Sequence, residues 1–382
     1  MLHNRQGHFW IGPYFSTGPG EEARRGEPEE DRIVARLIDV AKAAGVSRST
    51  ASNVFNNPEM VRPRLRQRVE AAARELGYAG PDPTARLLRA GKVNAIAIVP
   101  PADMGVFDLL RNPVFNLFVL GVADVCDERS ANMMVVPDKP GAKGVKNGLK
   151  NAVVDGFIFG RVEHLKEVEP ARLRRLPFVV VDFDAGPGIS SVRGNSYAGA
   201  YAAARHLLDL GHRRFGILSF LRTFGPARVH PVGAPRPPEA FGLPIDQEKY
   251  RAYTDALAEA GLDIDAVPMV QAEPWDRAAA GMMLDAAPDA TAILSMGVMQ
   301  GIAVLEEAQR RGIAVPRELS IVGYNDIVEA ERCDPPLTTV DAMGVEKGRA
   351  AARLVFAGGP PRHEIIEPQL IVRGSTARAP AG

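Results

Sequence analysis

The stretch from Gly45 to Asn57, GVSRSTASNVFNN, concentrates short hydrogen-bonding side chains in an otherwise largely apolar part of the chain. It contains three serines, one threonine, three asparagines and one arginine. Hydroxyl and amide groups of this kind donate hydrogen bonds to phosphate oxygens, and arginine and asparagine also reach the edges of bases. Chemistry of this kind requires that the surrounding elements present the side chains on one surface.

Apolar periodicity predicts three short helices around this stretch. Residues 37–44 carry apolar side chains on one helical face, and Gly45 ends that helix. Ser47 is a favourable N-cap for a second helix, and Pro63 suits the first turn of a third helix that ends at Gly77. The side chains predicted to face inward are Leu37, Val40, Ala41, Ala44, Ala51, Val54, Phe55, Leu65, Val69, Ala72, Ala73 and Leu76. Three short helices with a tight glycine turn between the first two form a helix-turn-helix.

The net charge of the chain is zero, but the charges are unevenly distributed. Residues 32–92 contain twelve Lys or Arg against five Asp or Glu, whereas residues 1–31 contain three against six. The rest of the chain therefore carries a net charge of −4. A basic segment attached to a mildly acidic body is the balance expected when one part of a protein meets a polyanion.

Composition argues against several other classes of protein. Two cysteines, Cys126 and Cys333, are too few for a disulfide scaffold or a metal cluster, and we expect no cofactor. No apolar run is long enough to span a membrane, and residues 1–31 lack the apolar core of a secretory signal, so we expect a cytoplasmic protein. Residues 1–34 have no periodicity and are predicted to be disordered. We also hypothesise that translation starts near Val34, which the intact mass of the natively expressed protein tests.

From Val93 onwards, apolar runs of strand length alternate with helical segments. The predicted strands are 93–100, 132–137, 154–160, 177–183, 214–220, 290–296 and 319–325, and the predicted helices are 115–130, 196–211, 248–261, 277–287 and 300–312. This alternation is typical of doubly wound parallel sheets, and the strands are too many for one sheet of usual size, so we predict two α/β subdomains with a cleft. Six prolines in residues 225–246 predict a long loop, either a solvated insertion or a lid on the cleft.

The head and the body together resemble the lac-repressor (LacI/GalR) family of bacterial transcription regulators. The resemblance is carried by LIDVAKAAGVSRSTASNVFNNPEMVRPRLRQRVEAAARELGY in the head and by VDGFIF, AARHLLDLGHRRFGIL, RRGIAVPRELSIVGYNDI and DPPLTTV in the body. It covers roughly residues 35–378. It implies a homodimer that binds a palindromic operator in double-stranded DNA and a small effector.

The resulting fold class is α/β, with an N-terminal helix-turn-helix head plus two doubly wound α/β subdomains of periplasmic-binding-protein type. The predicted limits are 1–34 for the extension, 35–82 for the helix-turn-helix domain, 83–91 for a hinge helix, 92–192 with 341–368 for the N-terminal effector subdomain, and 193–340 with 369–379 for the C-terminal one. The chain ends soon after LIVRGST without heptads, so we expect dimers and no coiled-coil tetramer.

The resemblance places the second helix of the head in the major groove of DNA. Ser47, Thr50, Ser52 and Asn56 suit phosphate contacts, whereas Arg48, Ser49 and Asn53 occupy the positions that read bases in the family. Arg48 could pair with guanine and Asn53 with adenine, each pair giving about 1–3 kcal/mol of discrimination. Many relatives have arginine in place of Asn53, so the preferred operator is expected to differ. The alternative for any one of these side chains is a solvated helix face.

Pro81 and Pro83 rule out a helix continuing from upstream, and residues 83–90 predict one short helix. In the family a hinge helix inserts a leucine into the minor groove at the operator centre, and the resemblance assigns DNA contacts to Ala85 and Leu88. An apolar wedge between base steps costs unstacking but gives a bent duplex with more contacts. The alternative is that Leu87 or Leu88 packs on the hinge helix of the second subunit.

For the effector cleft, the resemblance points to Asp182, Lys249, Arg251, Trp275 and Asn325. Asp182 matches a position that binds sugar hydroxyls or base nitrogens, and Trp275 matches an aromatic residue that stacks on the ligand. Asn325 stands where many relatives have a ligand-binding aspartate. Lys249 falls where they often have an arginine, with Arg251 two residues on. A carboxylate beside an aromatic face suits a polyhydroxylated ring such as a carbohydrate. The alternatives are a strand-end cap for Asp182 and a buried hydrophobe for Trp275.

Two departures from the family pattern concern the same cleft. Gly297 and Val298 replace the usual Asn-Asp pair, and neither side chain can hydrogen-bond a ligand. The insertion PADMGVFDLLRNP at 101–113 lengthens the first cleft loop. We therefore expect an effector that differs from those of the best-known relatives, with a loss of response as the alternative.

Two other classes of protein remain to be weighed. An enzyme is disfavoured because the sequence has no Walker loop, no GxGxxG after the first strand, no HExxH and no nucleophile elbow. A free-standing solute-binding protein fits the body, but the missing secretory signal and the basic head argue against it. Steep salt dependence of DNA binding would discriminate the regulator from the solute-binding protein.

Overall fold

The computed structural model describes residues 35–80, 92–101, 105–137, 148–160, 162, 164–221, 225–237 and 240–381. The chain separates between Ala90 and Gly91 into two compact units, here called the head and the body. The extension 1–34 and the hinge segment 83–91, with Ala85 and Leu88, lie outside the described residues, so their structures stay predictions.

The described part of the head consists of helices α1 (Leu37–Ala43), α2 (Arg48–Asn56) and α3 (Pro63–Glu75), with a 3-10 turn at Pro58–Met60. They enclose a core of small and β-branched side chains: Val40, Ala41, Ala44, Ala51, Val54, Val69, Ala72 and Ala73. Phe55 packs against this core and meets Tyr78 edge to face at a ring-centroid distance of 5.4 Å. The three predicted helices are confirmed.

One inward-facing prediction in the head is wrong. Leu76 is 41% exposed because it is the C-cap of α3, where the backbone leaves the helix and turns at Gly77 with φ +64°. Gly45 makes the corresponding turn between α1 and α2 with φ +58°, a conformation that glycine adopts without strain.

The body is built from alternating strands and helices. Its strands are β1 (Ala95–Val99), β2 (Asn132–Val135), β3 (Gly156–Gly160), β4 (Phe178–Val181), β5 (Ser190–Gly194), β6 (Phe215–Phe220), β7 (Arg228–His230), β8 (Met269–Ala272), β9 (Ala292–Ser295), β10 (Ser320–Tyr324), β11 (Thr338–Asp341), β12 (His363–Ile366) and β13 (Gln369–Ile371). Its α-helices are α4 (Val106–Arg111), α5 (Pro113–Glu128), α6 (Gly148–Asn151), α7 (Glu169–Leu173), α8 (Ser196–Asp209), α9 (Pro244–Glu259), α10 (Ala278–Ala286), α11 (Val298–Arg310), α12 (Val328–Arg332) and α13 (Gly344–Ala357). Single 3-10 turns lie at Leu165–Glu167 and Ile264–Ala266.

The first sheet has the strand order β12-β5-β4-β3-β1-β2, with every neighbouring pair parallel. Helices α5 and α13 cover one face, and α6 and α7 cover the other. Glycines let α5 and α13 pack backbone to backbone, since a Cβ at Gly121 would overlap the carbonyl of Val345. Every residue of β1 and β3 is buried, as expected for strands covered on both faces.

The second sheet has the strand order β13-β11-β10-β9-β6-β8-β7. Its inner strands are parallel, and the two edge strands β7 and β13 run antiparallel to their neighbours. Helices α8 and α9 pack on one face, and α10 and α11 pack on the other. The predicted pair of doubly wound parallel sheets is thus confirmed, with antiparallel edges on the second.

Several elements were not predicted from the sequence. Strands β5, β7, β12 and β13 were missed because polar or exposed residues interrupt them, so they lack a continuous apolar run. Strand β11 was missed although three of its four residues are buried. Strand β8 was missed although it is fully buried. The region predicted as a loop at 225–246 contains β7, and α9 begins within it at Pro244. The predicted subdomain limits stay predictions, and β5 runs across the one at 192/193.

Among the described helices, none has the combination of length and apolar character needed to cross a membrane.

Candidate nucleic-acid interface and candidate ligand cleft

The polar stretch at residues 45–57 lies on α2 and at the N-terminus of that helix. Ser47 is the N-cap: its Oγ accepts a hydrogen bond from the Thr50 backbone N–H at 3.1 Å. The same oxygen lies 2.8 Å from the hydroxyl oxygens of Ser49 and Thr50. Capping of this kind typically stabilises a helix by about 1 kcal/mol, so Ser47 has a structural role in addition to the predicted phosphate contact.

The other polar side chains of α2 share one face, because positions 48, 49, 52, 53 and 56 are spaced at three and four residues. Asn56 Nδ2 donates to the backbone oxygen and to Oγ of Ser52, at 3.0 and 3.1 Å. Arg48 is exposed and Asn53 is half-buried, and neither side chain hydrogen-bonds to any described residue. These two side chains can therefore bind an external partner without breaking an internal contact.

Arg68 on α3 holds the turn that positions α2, a role that the sequence reading missed. Its Nε donates to the carbonyl of Ala44 at 2.7 Å, and its Nη2 donates to the carbonyl of Gly45 at 3.0 Å. These carbonyls lie at the C-terminus of α1, where a positive charge is favourable. No local pattern links residues 45 and 68, so this contact requires the tertiary structure.

The candidate ligand cleft is a cavity of about 1020 Å³ at the carboxyl ends of strands from both sheets. Four of the five predicted residues line it: Asp182, Lys249, Trp275 and Asn325. Carboxyl ends of parallel strands are the usual place for ligands in open α/β sheets, because loops and helix N-termini converge there. The cavity therefore lies where the resemblance predicts an effector.

Arg251 does not line the cavity. Its guanidinium lies over the ring of Tyr197, 4.8 Å from the centroid. Two residues along an α-helix correspond to a rotation of roughly 200°, so Arg251 and Lys249 of α9 point to opposite sides. The prediction that Arg251 contacts the effector is not supported by this placement.

Asp182 follows β4 and has both carboxylate oxygens engaged. Its Oδ2 forms an ion pair with Lys347 Nζ of α13 at 2.7 Å, and its Oδ1 accepts from the Gly194 backbone N–H at 3.1 Å. Its backbone lies in the left-handed region with φ +53°. Asp182 thus caps a strand end and also lines the cavity, so its position is compatible with both the structural role and the proposed effector contact.

Lys249 is buried and fully partnered in the floor of the cavity. Its Nζ lies 3.4 Å from Oδ1 of Asp246, donates to the carbonyl of Met296 at 3.1 Å, and sits 4.3 Å from the ring centroid of Tyr324. Burial lowers the pKa of Lys249, while the charge of Asp246 opposes that shift. Lys249 is therefore held by internal contacts, unlike a free ligand-binding cation.

Trp275 and Asn325 present polar or aromatic groups to the cavity from the second sheet. Trp275 is 39% exposed, so the alternative of a buried hydrophobe is wrong. The guanidinium of Arg111 lies over its ring at 5.6 Å from the centroid. Asn325 is anchored through its backbone N–H to the carbonyl of Val340 at 2.8 Å, and its amide has no partner among the described residues.

Gly297 precedes α11 and lines the cavity without offering a side chain to it. A Cβ at Gly297 would lie 2.5 Å from Cζ of Phe220, whose ring fills the space at the end of β6. Val298 is buried in the core between α10 and α11. An apolar ring therefore fills this part of the cavity wall, where neither Gly297 nor Val298 presents a hydrogen-bonding side chain.

The inserted segment forms α4 and the N-cap of α5. Asn112 caps α5 by accepting from the backbone N–H groups of Val114 and Phe115 at 3.1 and 3.3 Å. Arg111 and Asp108 of α4 line the cavity. The sequence reading identified the insertion but none of its cavity-lining side chains, and it also missed Lys347 and Asp246.

Within the parts of the chain that the structure describes, no group of three or more His, Cys, Asp and Glu side chains could hold a metal ion.

Comparison with known proteins agrees with both units. Residues 36–80 match the family model of bacterial regulatory proteins of the lacI family, and residues 204–376 match that of the periplasmic binding protein-like domain. An HTH-type transcriptional regulator of Mycolicibacterium smegmatis is 33% identical over 368 residues, covering 91% of this chain and 97% of the relative.

Two solved structures share the fold. The transcriptional regulator CelR in complex with cellobiose matches at a TM-score of 0.62 with 26% identity, covering 89% of this chain and 99% of that one. The lac repressor dimer bound to operator and the anti-inducer ONPF matches at a TM-score of 0.70 with 20% identity, covering 90% and 99%. Together with the α2 geometry and the cleft, these matches show that the chain belongs to the lacI family of bacterial regulatory proteins, with a DNA-binding helix-turn-helix head and a periplasmic-binding-protein-like effector domain.

Proposed function

We propose that this protein is a sequence-specific transcriptional repressor that binds a palindromic operator as a homodimer and responds to a small, sugar-like effector in the cleft. The observation that carries the proposal is the exposed polar face of α2 in a basic head. Arg48 and Asn53 on that face have no hydrogen-bond partner within the described residues, so both are available to DNA.

The proposed DNA contacts divide into base reading and backbone positioning. Arg48 offers a bidentate donor to guanine, and Asn53 offers a donor and an acceptor to adenine, with Ser49 beside them. The predicted phosphate contacts come from Ser47, Thr50, Ser52 and Asn56. The hydroxyls of Ser49 and Thr50 each hydrogen-bond to Ser47 Oγ, so they are held in place before DNA binds.

The hinge segment 83–91 supplies the third proposed contact. Leu88 is proposed to enter the minor groove at the operator centre, with Ala85 against the backbone. Leu88→Ala should then weaken operator binding much more than binding to non-specific DNA, because only the operator complex requires the bend. An equal loss for both kinds of DNA would refute the wedge.

The proposed effector contacts are Asp182, Trp275 and Asn325. The half-exposed indole of Trp275 and the unpartnered amide of Asn325 suit a ring that carries hydroxyl groups. The cellobiose complex of CelR supports a carbohydrate of some kind. Because the cavity lies between two sheets, a ligand that binds both walls favours one arrangement of the subdomains and so couples to DNA binding.

The proposal includes no catalytic activity, because the relatives are transcriptional regulators. A regulator of this kind acts in the cytoplasm, at the nucleoid, as one homodimer per palindrome.

Selection of binding sites from random duplex DNA with the full-length protein tests the proposal. The expected result is a palindrome of two half-sites, bound with an affinity that falls steeply with salt because phosphate contacts release counterions. An absence of enrichment, both alone and with cell extract present as a source of effector, would overturn sequence-specific binding.

A further inference from the structure

Arg111 of α4 spans the cleft to the opposite wall. Helix α4 follows β1 of the first sheet, whereas Trp275 follows β8 of the second sheet. The Arg111 guanidinium lies 5.6 Å from the centroid of the Trp275 ring, and both residues line the cavity. The aromatic face that suits a ring-shaped ligand is therefore covered by a side chain of the protein itself.

The walls around this contact are acidic. Six carboxylates line the cavity, from Asp108, Asp182, Asp246, Glu273, Asp326 and Asp341, against three Lys or Arg side chains. Two of those cations already face a carboxylate, because Lys347 pairs with Asp182 and Lys249 with Asp246. Arg111 has no carboxylate partner among the described residues, so its place on the indole does not depend on an ion pair.

Two of the carboxylates keep acceptor capacity for a ligand. Glu273 accepts one backbone N–H, from Gly225 at 3.0 Å, and Asp341 accepts one, from Met343 at 2.7 Å. Neither forms an ion pair within the described residues. Each leaves one oxygen for a hydroxyl or ammonium donor of a ligand, and the Phe220 ring beside Gly297 supplies no donor for an anion.

We propose that the effector is a ring compound without an anionic group, neutral or cationic, which replaces the Arg111 guanidinium on the Trp275 face. An anionic ring would meet surplus carboxylates, and the buried ammonium groups that could neutralise it are already paired. Arg111 thus stands in for the ligand in the unliganded cleft, and ligand binding detaches α4 from the opposite wall. This inference rests on the proposed effector function of the cleft.

The first arm of the test uses the unliganded protein. The chain contains two tryptophans, Trp10 and Trp275, so Trp10→Phe leaves Trp275 as the single reporter. Adding Arg111→Ala should raise the acrylamide Stern–Volmer constant of Trp275 by about 1.5- to 2-fold, because one indole face becomes accessible. Arg111→Lys, which keeps a cation without the planar group, should give a smaller rise.

Arg317→Ala, a change at an exposed arginine outside the cavity, is the matched control and should leave quenching unchanged. Far-UV circular dichroism confirms that each variant is folded. Equal quenching constants for the Arg111 variants and the control would overturn the placement of Arg111 on Trp275.

The second arm determines the charge of the ligand. Small molecules extracted from the source cells are separated on an anion exchanger into a retained anionic fraction and a flow-through fraction. The flow-through should shift Trp275 emission in the Trp10→Phe protein and should act at lower dose on the Arg111→Ala variant, which has no guanidinium to displace. A shift caused by the anionic fraction, or by neither fraction, would overturn the proposal.

Operator binding by the same variants separates this inference from the proposed function. If the Trp10→Phe protein binds the selected palindrome but Trp275 does not respond to the flow-through, the ligand inference fails and the proposed regulator function stands. Failure to select any palindrome would instead contradict the proposed regulator function.

Discussion

The recognition face of α2 and the ligand cleft treat their polar side chains in opposite ways. On α2, Arg48 and Asn53 have no hydrogen-bond partner within the described chain, and the face is exposed. In the cleft, Lys249 is bound to Asp246 and Met296, and Asp182 is bound to Lys347 and Gly194. The proposed base-reading side chains of α2 are thus without internal partners among the described residues, whereas the charged groups Lys249 and Asp182 of the cleft are hydrogen-bonded within the protein.

The difference follows from burial. An exposed guanidinium is solvated by water until DNA replaces that water, so it requires no internal partner. A buried ammonium or carboxylate carries a large desolvation cost and is tolerated when a countercharge and hydrogen bonds surround it. Substitutions of Arg48 or Asn53 should therefore affect DNA binding without affecting stability, whereas substitutions of the buried pair Asp246 and Lys249 should affect stability first.

The largest expected effect is on the buried pair. Asp246→Ala leaves the 2%-exposed Lys249 without its carboxylate, and the free energy of unfolding of the body should fall by about 3–5 kcal/mol. Urea unfolding followed by Trp275 fluorescence measures it. The double variant Asp246→Leu/Lys249→Met, which removes both charges, should recover most of the loss. A double variant as unstable as the single one would contradict the argument.

On α2, Arg48→Ala should reduce operator binding by about 1–3 kcal/mol and relax the preference at one base pair, with thermal stability unchanged. Electrophoretic mobility shift with single-base operator variants measures both quantities. Arg48→Lys is the matched control: it keeps the charge for phosphate but lacks the fork, so non-specific affinity should be retained while base preference is lost. A drop in stability comparable to that in binding would erase the contrast between the two regions.

Introducing a polar side chain at Gly297 tests whether the Phe220 ring excludes one from this part of the cavity. Gly297→Asn should destabilise the body by about 1–3 kcal/mol, because its Cβ would lie 2.5 Å from the Phe220 ring. Since Gly297 is the N-cap of α11, asparagine should instead be favourable once the ring is removed. Thermal unfolding should therefore rank Gly297→Asn/Phe220→Ala above Phe220→Ala alone, and the reverse order would show that Phe220 is not the obstacle.

The head also contains a cation that is hydrogen-bonded within the protein, Arg68, so partnered and unpartnered arginines can be compared within one unit. Arg68→Met removes hydrogen bonds to the carbonyls of Ala44 and Gly45 and should lower stability by about 1 kcal/mol. Arg66→Met is a matched control on the same helix, because its ion pair with Glu70 at 3.6 Å is exposed and should contribute less than about 0.5 kcal/mol. Urea unfolding of the head, followed by circular dichroism, compares them.

The smallest effect is a pH dependence at Asp326. Burial raises the pKa of this carboxyl, but hydrogen bonds from Arg373 and Thr339 outweigh it, so the folded-state pKa lies below the ordinary value. The ionised pair should stabilise the body fully above pH about 4, and that contribution should be lost as pH falls through the lower folded-state pKa. Melting temperatures between pH 7 and pH 3 measure it, and Asp326→Asn should show a flatter profile.

The family resemblance pointed to Asp182, Trp275 and Asn325, and all three line the cavity just after buried strands, where the carboxyl ends of parallel strands converge. The structure does not bring Arg251 to the cavity, because helical geometry turns that residue away from Lys249. The sequence analysis missed the pairing of Asp182 with Lys347 and the contact of Arg111 with Trp275, which join residues more than 160 positions apart. A single sequence contains local periodicity but no information on which distant segments meet.

The contact between α5 and α13 has a consequence for synthesis of the chain on the ribosome. Helix α5 is synthesised early, but its surface at Gly121 is covered only after Val345 of α13 has been synthesised. Strand β12 completes the first sheet after α13, and β13 completes the second sheet later still. The head, by contrast, has its three helices within the first 75 residues. A nascent chain thus contains all three helices of the head while both body sheets are unfinished.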